Sequence, residues 1–261
     1  MKPFKKIAIA NMIIIAGLVF TAFICSQPQI NRAGLLPAGG NSFVVLELFT
    51  SEGCSSCPPA EELLAQINKE SNDKPVYVLG YHVDYFDNLG WKDVFGSADY
   101  TKRQQRYSAW LNSQVYTPQL VVNGVQEFVG SNEREVRNAF AAQLKVKHSS
   151  SLSLVARADK GVVKVHFQTA KTQDHEEIVL ALVQKNGSTN VRRGENAGRN
   201  LTHIQIVRAL SKQSLQELKS GDVIMKIPQH NSPSKWEVIG MVQNKRTGAI
   251  SAADKIEIAT L

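Results

Sequence analysis

No second cysteine pair answers Cys54 and Cys57, and no two histidines stand at H-x3-5-H spacing, so a structural zinc module lacks half its ligands here. Of the other histidines, His148, His166, His175, His203 and His230 show no ligand spacing and read as surface or core residues. Nor is there a strong charge of one sign. Lys and Arg number 30 against 23 Asp and Glu, a formal +7; Lys2, Lys5 and Lys6 lie in the first six residues, and the remainder carries 27 against 23, or +4. A balance so mild and so dispersed excludes a nucleic-acid surface, and the basic block at 145–148 reads as solvated. With 261 residues and 43% hydrophobic composition the chain can bury a sizeable core, and its length fits two domains.

What is present begins with a leader. Residues 1–6 hold three lysines and no acid, and residues 7–25 are apolar apart from Asn11, Gly17 and Thr21. This is an export signal, cleaved or retained as an inner-membrane anchor over 7–25. Cys25 offers lipidation as a third fate. Each outcome engages the membrane or the export machinery and places the rest of the chain in the periplasm or another extracytoplasmic space, where a dithiol can cycle as a disulfide. Residues 1–26 are thus signal or anchor, and 27–42, with Ser, Gln, Pro, Asn and Gly, a linker.

The chemistry concentrates just after the linker. Residues 43–49 are a short, nearly unbroken apolar run, the pattern of a buried strand. Cys54-Ser-Ser-Cys57 follows at once, and then two prolines open an amphipathic stretch, Ala60 to Ile67. Strand, C-x-x-C and helix in this order form a redox signature. Disulfide exchange needs one reactive thiolate and a second thiol to resolve the mixed disulfide. A helix start supplies both, with backbone N–H groups and the helix dipole favouring the anion. Cys54, nearer the strand, is assigned as nucleophile and Cys57 as resolving thiol, open to solvent; an inert disulfide or half a metal site are the rival readings. Pro58 and Pro59 are expected to delay the helix start.

A second β-rich run, 75–83, makes a βαβ unit with the first, so its end lies on the same sheet edge as Cys54. His82 and Asp84 fall there, and His82 is a candidate proton shuttle, substrate contact or copper ligand. A helical insertion is expected over 97–112, with Lys102, Arg103 and Arg106 on a solvated face. Pro118 opens the next strand, Asn123-Gly124 marks a hairpin, and a helix follows Ser131.

This order, with Thr117-Pro118 opening the hairpin, resembles the thioredoxin fold. The resemblance implies a cis peptide at Pro118 beside the dithiol, and Thr117 backbone groups offered to a bound peptide. More narrowly, Thr50-Ser-Glu-Gly-Cys-Ser-Ser-Cys-Pro-Pro59, His82-Val-Asp-Tyr85, Leu89-Gly-Trp-Lys92, Tyr116-Thr-Pro-Gln119 and Gly194-Glu-Asn-Ala-Gly-Arg199 resemble an uncharacterised family of exported bacterial thioredoxin-like proteins. Two departures stand out. Gly53 replaces the aromatic that ordinarily precedes the first cysteine, and Leu48 stands where the buried acid belongs, with Glu47 one step off and so facing the other side.

From residue 149 onward, short alternating runs separated by turns point to an antiparallel β-sandwich. The expected architecture is therefore an α/β thioredoxin-like domain with a helical insertion over 43–148, followed by a β-sandwich-like domain over 149–261. Within the second, Glu195, Asn196 and Arg199 are expected to reach back to the dithiol and help select substrate. The expected activity is that of an exported thiol-disulfide oxidoreductase without cofactor, acting on protein thiols or disulfides and exchanging electrons with a redox partner. The uncharged Ser-Ser dipeptide implies a modest potential. The alternatives are a copper-handling module using Cys54, Cys57 and His82, and a non-catalytic envelope interaction protein.

Overall fold

The computed structural model describes residues 42–71, 74–170, 174–216, 218–228 and 235–258. The leader with its candidate anchor, Cys25, nearly all of the linker and His230 lie outside the described residues. Among the described residues, no helix is long and apolar enough to cross a membrane.

The apolar runs become β1 (Val44–Thr50) and β2 (Val76–His82), parallel and in register from Val44 opposite Val76 to Thr50 opposite His82, with α1 (Pro58–Glu70) crossing between them. Both strands are buried along their whole length, as unbroken apolar composition demands. Alternation sends Val44, Leu46 and Leu48 toward α1 and α3 (Glu133–Gln143). It sends Val45 and Phe49 toward Tyr100 and Tyr107 of α2 (Ala98–Leu111). Arg103 of α2, expected on a solvated face with Lys102 and Arg106, is instead fully buried, because Glu47 waits for it on that side of β1.

β3 (Gln119–Val122) runs antiparallel to β1 and pairs with β4 (Gln126–Val129) through Asn123-Gly124, both at positive φ. That is the turn an Asn-Gly pair favours. Gly124 is also a steric necessity, since a Cβ there would lie 2.0 Å from the carbonyl oxygen of Gly248.

The remaining strands are β5 (Leu152–Asp159), β6 (Val162–Thr169), β7 (Glu176–Asn190), β8 (Asn200–Ser214), β9 (Ser220–Lys226), β10 (Trp236–Asn244) and β11 (Ile250–Ile258). They overturn the expected fold class. Instead of a thioredoxin-like α/β domain followed by a β-sandwich-like domain, one mixed eight-stranded sheet runs β11-β10-β7-β8-β2-β1-β3-β4, drawing strands from both halves of the chain. Among the described residues strand outweighs helix by 45% to 20%, and the three α-helices there are too few for an ordinary thioredoxin layer arrangement.

The reason is β8, which is not among the strands expected from the sequence. It forms the outer neighbour of β2, meeting it where Gly80 pairs with Ile206. On the far side, β5-β6-β9 form a separate three-stranded sheet that packs on β7, β10 and β11 through Leu154, Val165, Phe167, Leu180 and Val238. Val179, Ala181 and Val183 of β7 belong to the opposite core, so the first nine residues of that strand are buried on both faces.

Candidate functional site

The C-x-x-C turn leaves β1 and enters α1 without a gap. Gly53 N–H donates to Ser51 Oγ, Cys54 N–H to the Ser51 carbonyl, and Cys57 N–H to the Cys54 carbonyl. Cys57 caps α1, which begins at Pro58 and not later as expected; proline is tolerated in the first turn because its missing N–H would have no helical partner there. Gly53 takes the place of an aromatic because Phe86 fills the space: a Cβ at 53 would lie 2.9 Å from Phe86 Cβ.

Cys54 and Cys57 are joined in a disulfide. Against the expectation of an open dithiol, both are buried, Cys54 at 3% and Cys57 at 0% exposure, whereas Ser55 and Ser56 between them are exposed. The cover comes from residues 191–199, the tip of the long β7–β8 hairpin. Glu195 Oε2 accepts from Ser55 N–H at 2.9 Å. Asn196 Nδ2 donates to the carbonyls of Glu52 and Cys54, both at 2.9 Å, and Arg199 Nη1 donates to Asn196 Oδ1. The structure thus gathers Glu195, Asn196 and Arg199 at the C-x-x-C turn.

Thr117-Pro118 has a cis peptide bond. Pro118 and Ala60 of α1 both pack against Gly130, where a Cβ would lie 3.5 and 3.1 Å from their β-carbons. This places the proline beside the first turn of the helix that the disulfide opens.

Below the turn lies a buried polar cluster that the sequence reading met only at His82. Glu61, on the first turn of α1, accepts from Thr50 Oγ1 at 2.6 Å, and its other oxygen lies 2.5 Å from Nδ1 of His203 on β8. His203 Nε2 lies 3.4 Å from Glu52 Oε1, too poorly aligned for a hydrogen bond, and neither atom has another partner. The rings of His82 and His203 meet edge to face at 4.8 Å between centroids. His82 Nδ1 is 2.7 Å from Asp93 Oδ2, which also accepts from Glu52 N–H. Trp91 Nε1 donates to Glu52 Oε2.

Burial works against charge on His203, but the carboxylates of Glu52 and Glu61 on either side outweigh it and hold the imidazolium up to about 10. Glu61 and Asp93 are likewise pushed upward by burial and then brought below their ordinary values by His203 and His82 respectively. His203 was passed over because histidine spacing along the chain carries no signal here. The usable clue was the alternation of β8, in which Leu201, His203 and Gln205 share the buried side. Among the described residues, the set of three whose ligand atoms lie within 4.8 Å of one another is Glu61, His82 and His203, without either cysteine.

A family model described as "Protein of unknown function (DUF1223)" matches residues 45–243. The chain belongs to this family. The match spans β1 through most of β10 and so takes in both the disulfide and the cluster beneath it. No curated protein matches the chain. Among solved structures, the crystal structure of a protein from Agrobacterium tumefaciens is 24% identical over 83% of this chain and 94% of its own, with a TM-score of 0.59, a likeness of fold. A β-glucuronidase from Ruminococcus gnavus aligns at 8% identity and a TM-score of 0.24; the alignment covers 42% of this chain and 16% of that enzyme.

Proposed function

We propose that this member of the family is an extracytoplasmic thiol-disulfide redox protein in which Cys54 and Cys57 alternate between disulfide and dithiol. The observation that carries the reading is a disulfide closed across the turn into α1, with two exposed serines between its cysteines and a hairpin tip bonded to its backbone. A substrate thiolate attacks Cys54, the less deeply buried sulfur, and Cys57 leaves as a thiolate and takes up a proton. The substrate's second thiol, losing its proton, displaces Cys54 from the mixed disulfide, and Cys54 leaves as a thiolate and takes up a proton in turn. Two electrons and two protons have then passed from substrate to protein, and a redox partner restores the starting state. The reverse sequence reduces a substrate disulfide, with Cys54 as attacking and Cys57 as resolving sulfur.

Glu195 and Asn196 hold the turn's backbone, so the hairpin tip must lift before a protein substrate can reach Cys54. Pro118, with Thr117 before it, lies beside the first turn of α1, and Arg199 steadies Asn196. Export by the leader supplies the oxidising compartment this chemistry needs.

The test is equilibration with glutathione followed by turnover assays. Cys54→Ser is expected to abolish insulin reduction and dithiol oxidation, and Cys57→Ser to accumulate mixed disulfides with Cys54. Full activity in the Cys54 variant overturns the assignment. So does a disulfide that glutathione cannot open in a protein without turnover, which identifies a structural cross-link, the role that burial of both sulfurs favours.

A further inference from the structure

Independently of the dithiol, we infer that Glu61, His82 and His203 form a binding site for a divalent first-row transition cation at the junction of α1, β2 and β8. Two imidazoles and one carboxylate are the donor set of zinc sites that keep an open position, and of facial-triad iron sites. The ligand atoms lie within 4.8 Å of one another, against roughly 3.3 Å between two ligands on one tetrahedral zinc, so closure asks for side-chain adjustment, with a turn of the His203 ring, and no backbone movement.

The supporting groups are in place. His82 Nδ1 lies 2.7 Å from Asp93 Oδ2, which leaves Nε2 as the ligand atom. A carboxylate behind a metal-ligating histidine is the usual orienting partner. Thr50 similarly fixes one oxygen of Glu61.

A further observation points to a cation. His203 Nε2 and Glu52 Oε1, in residues 2% and 0% exposed, face each other at 3.4 Å without a hydrogen bond. Buried groups of this kind are costly, and a metal that turns the His203 ring and draws in Glu52 relieves both.

Space adjoins the cluster on two sides. A gap of about 10 Å3 borders Glu61 and His82 among Leu48, Leu64, Val78 and Ile204. A cavity of about 140 Å3 is lined by Pro58, Glu61, Arg199 and His203.

The experiment uses the full chain with the disulfide intact, verified by thiol titration, so that the outcome is independent of the redox reading. After treatment with a chelator, Zn2+ is titrated against a chromogenic competitor, and Co2+ is added separately and its visible spectrum recorded. One zinc per chain is expected, and so is the intense visible band of four- or five-coordinate cobalt. Asp93→Asn should weaken zinc binding by roughly ten- to a hundredfold, and Glu61→Gln or His203→Gln should abolish it, while Glu62→Gln on the cavity wall leaves it unchanged. Because the cobalt spectrum is read on the unaltered protein, misfolding of a variant does not blunt the test. Absence of saturable zinc binding, a cobalt spectrum like that of the aqueous ion, or undiminished affinity in folded Glu61→Gln and His203→Gln overturns the site.

Discussion

Two buried ionic clusters flank β1, one on each face, and they are finished differently. On the α2 face, Arg103 gives Glu47 a two-pronged contact at 2.6 and 3.0 Å, and also donates to Gln243 and Tyr107. Tyr107 in turn donates to Glu47, and Gln243 donates to Tyr107. One acid meets one base, and none of these four residues has a polar atom left over; the loose end is the hydroxyl of Tyr81, under the guanidinium. On the α1 face, three carboxylates share two imidazoles, and two buried atoms lack hydrogen bonds. A matched pair holds a fold together, whereas an acid-rich group with atoms to spare is what a site that exchanges protons or a cation needs.

The comparison breaks most visibly if the matched cluster loses a member. Glu47→Ala strands the Arg103 guanidinium in the core, and urea denaturation is expected to show a loss of about 3–5 kcal/mol. Replacing Glu47 and Arg103 together by methionine should recover most of that. A single substitution costing no more than an exposed pair would deny Glu47 its structural role.

Next in size is Asn196→Ala, which acts on the hairpin tip above the second cluster. It removes two hydrogen bonds that tie the tip to the carbonyls of residues 52 and 54. At about 1 kcal/mol each, the open form should gain roughly thirtyfold. The rate at which a phosphine reduces the disulfide reports that gain, and an unchanged rate would mean the tip does not gate the sulfurs.

The two faces also differ in how far the sequence revealed them. The C-x-x-C turn, α1 and the Asn123-Gly124 hairpin are local devices, each specified within about ten residues, and the sequence shows them directly. Arg103 looked solvated because its partner Glu47 stands 56 positions away, and a helix's polar residues do not announce a distant counter-ion. β8 was missed for a related reason. Thr202, Gln205 and Arg208 dilute its apolar alternation, and its pairing with β2 joins residues more than a hundred positions apart. Missing that strand cost both the fold class and His203. The loop around Gly194 was legible by composition, yet its place over the disulfide depends on the two long strands that carry it.

Glu52→Gln sharpens the contrast at smaller scale. In the matched cluster any lost charge is harmful, but here the change removes one of three acids and keeps an acceptor for Trp91. Chelator-treated protein should change stability by less than about 1 kcal/mol. A loss as large as that of Glu47→Ala would make the two clusters equivalent.

The smallest expected effect comes from Glu195, which fastens the exposed rim of the tip. Its hydrogen bond with Ser55 holds the carboxyl below its ordinary value of 4.5. A carboxylate with a depressed pKa stabilises the closed tip fully above that ordinary value, and the contribution fades as pH falls through the depressed one. Disulfide reduction by a phosphine should therefore gain a component below pH 4.5, on the order of twofold because the contact is solvent-screened. Glu195→Gln should lose that component while keeping the underlying pH profile of the reductant. A component that survives the substitution would assign the acid response to the buried carboxylates beneath the turn, and the latch would then be Asn196 alone.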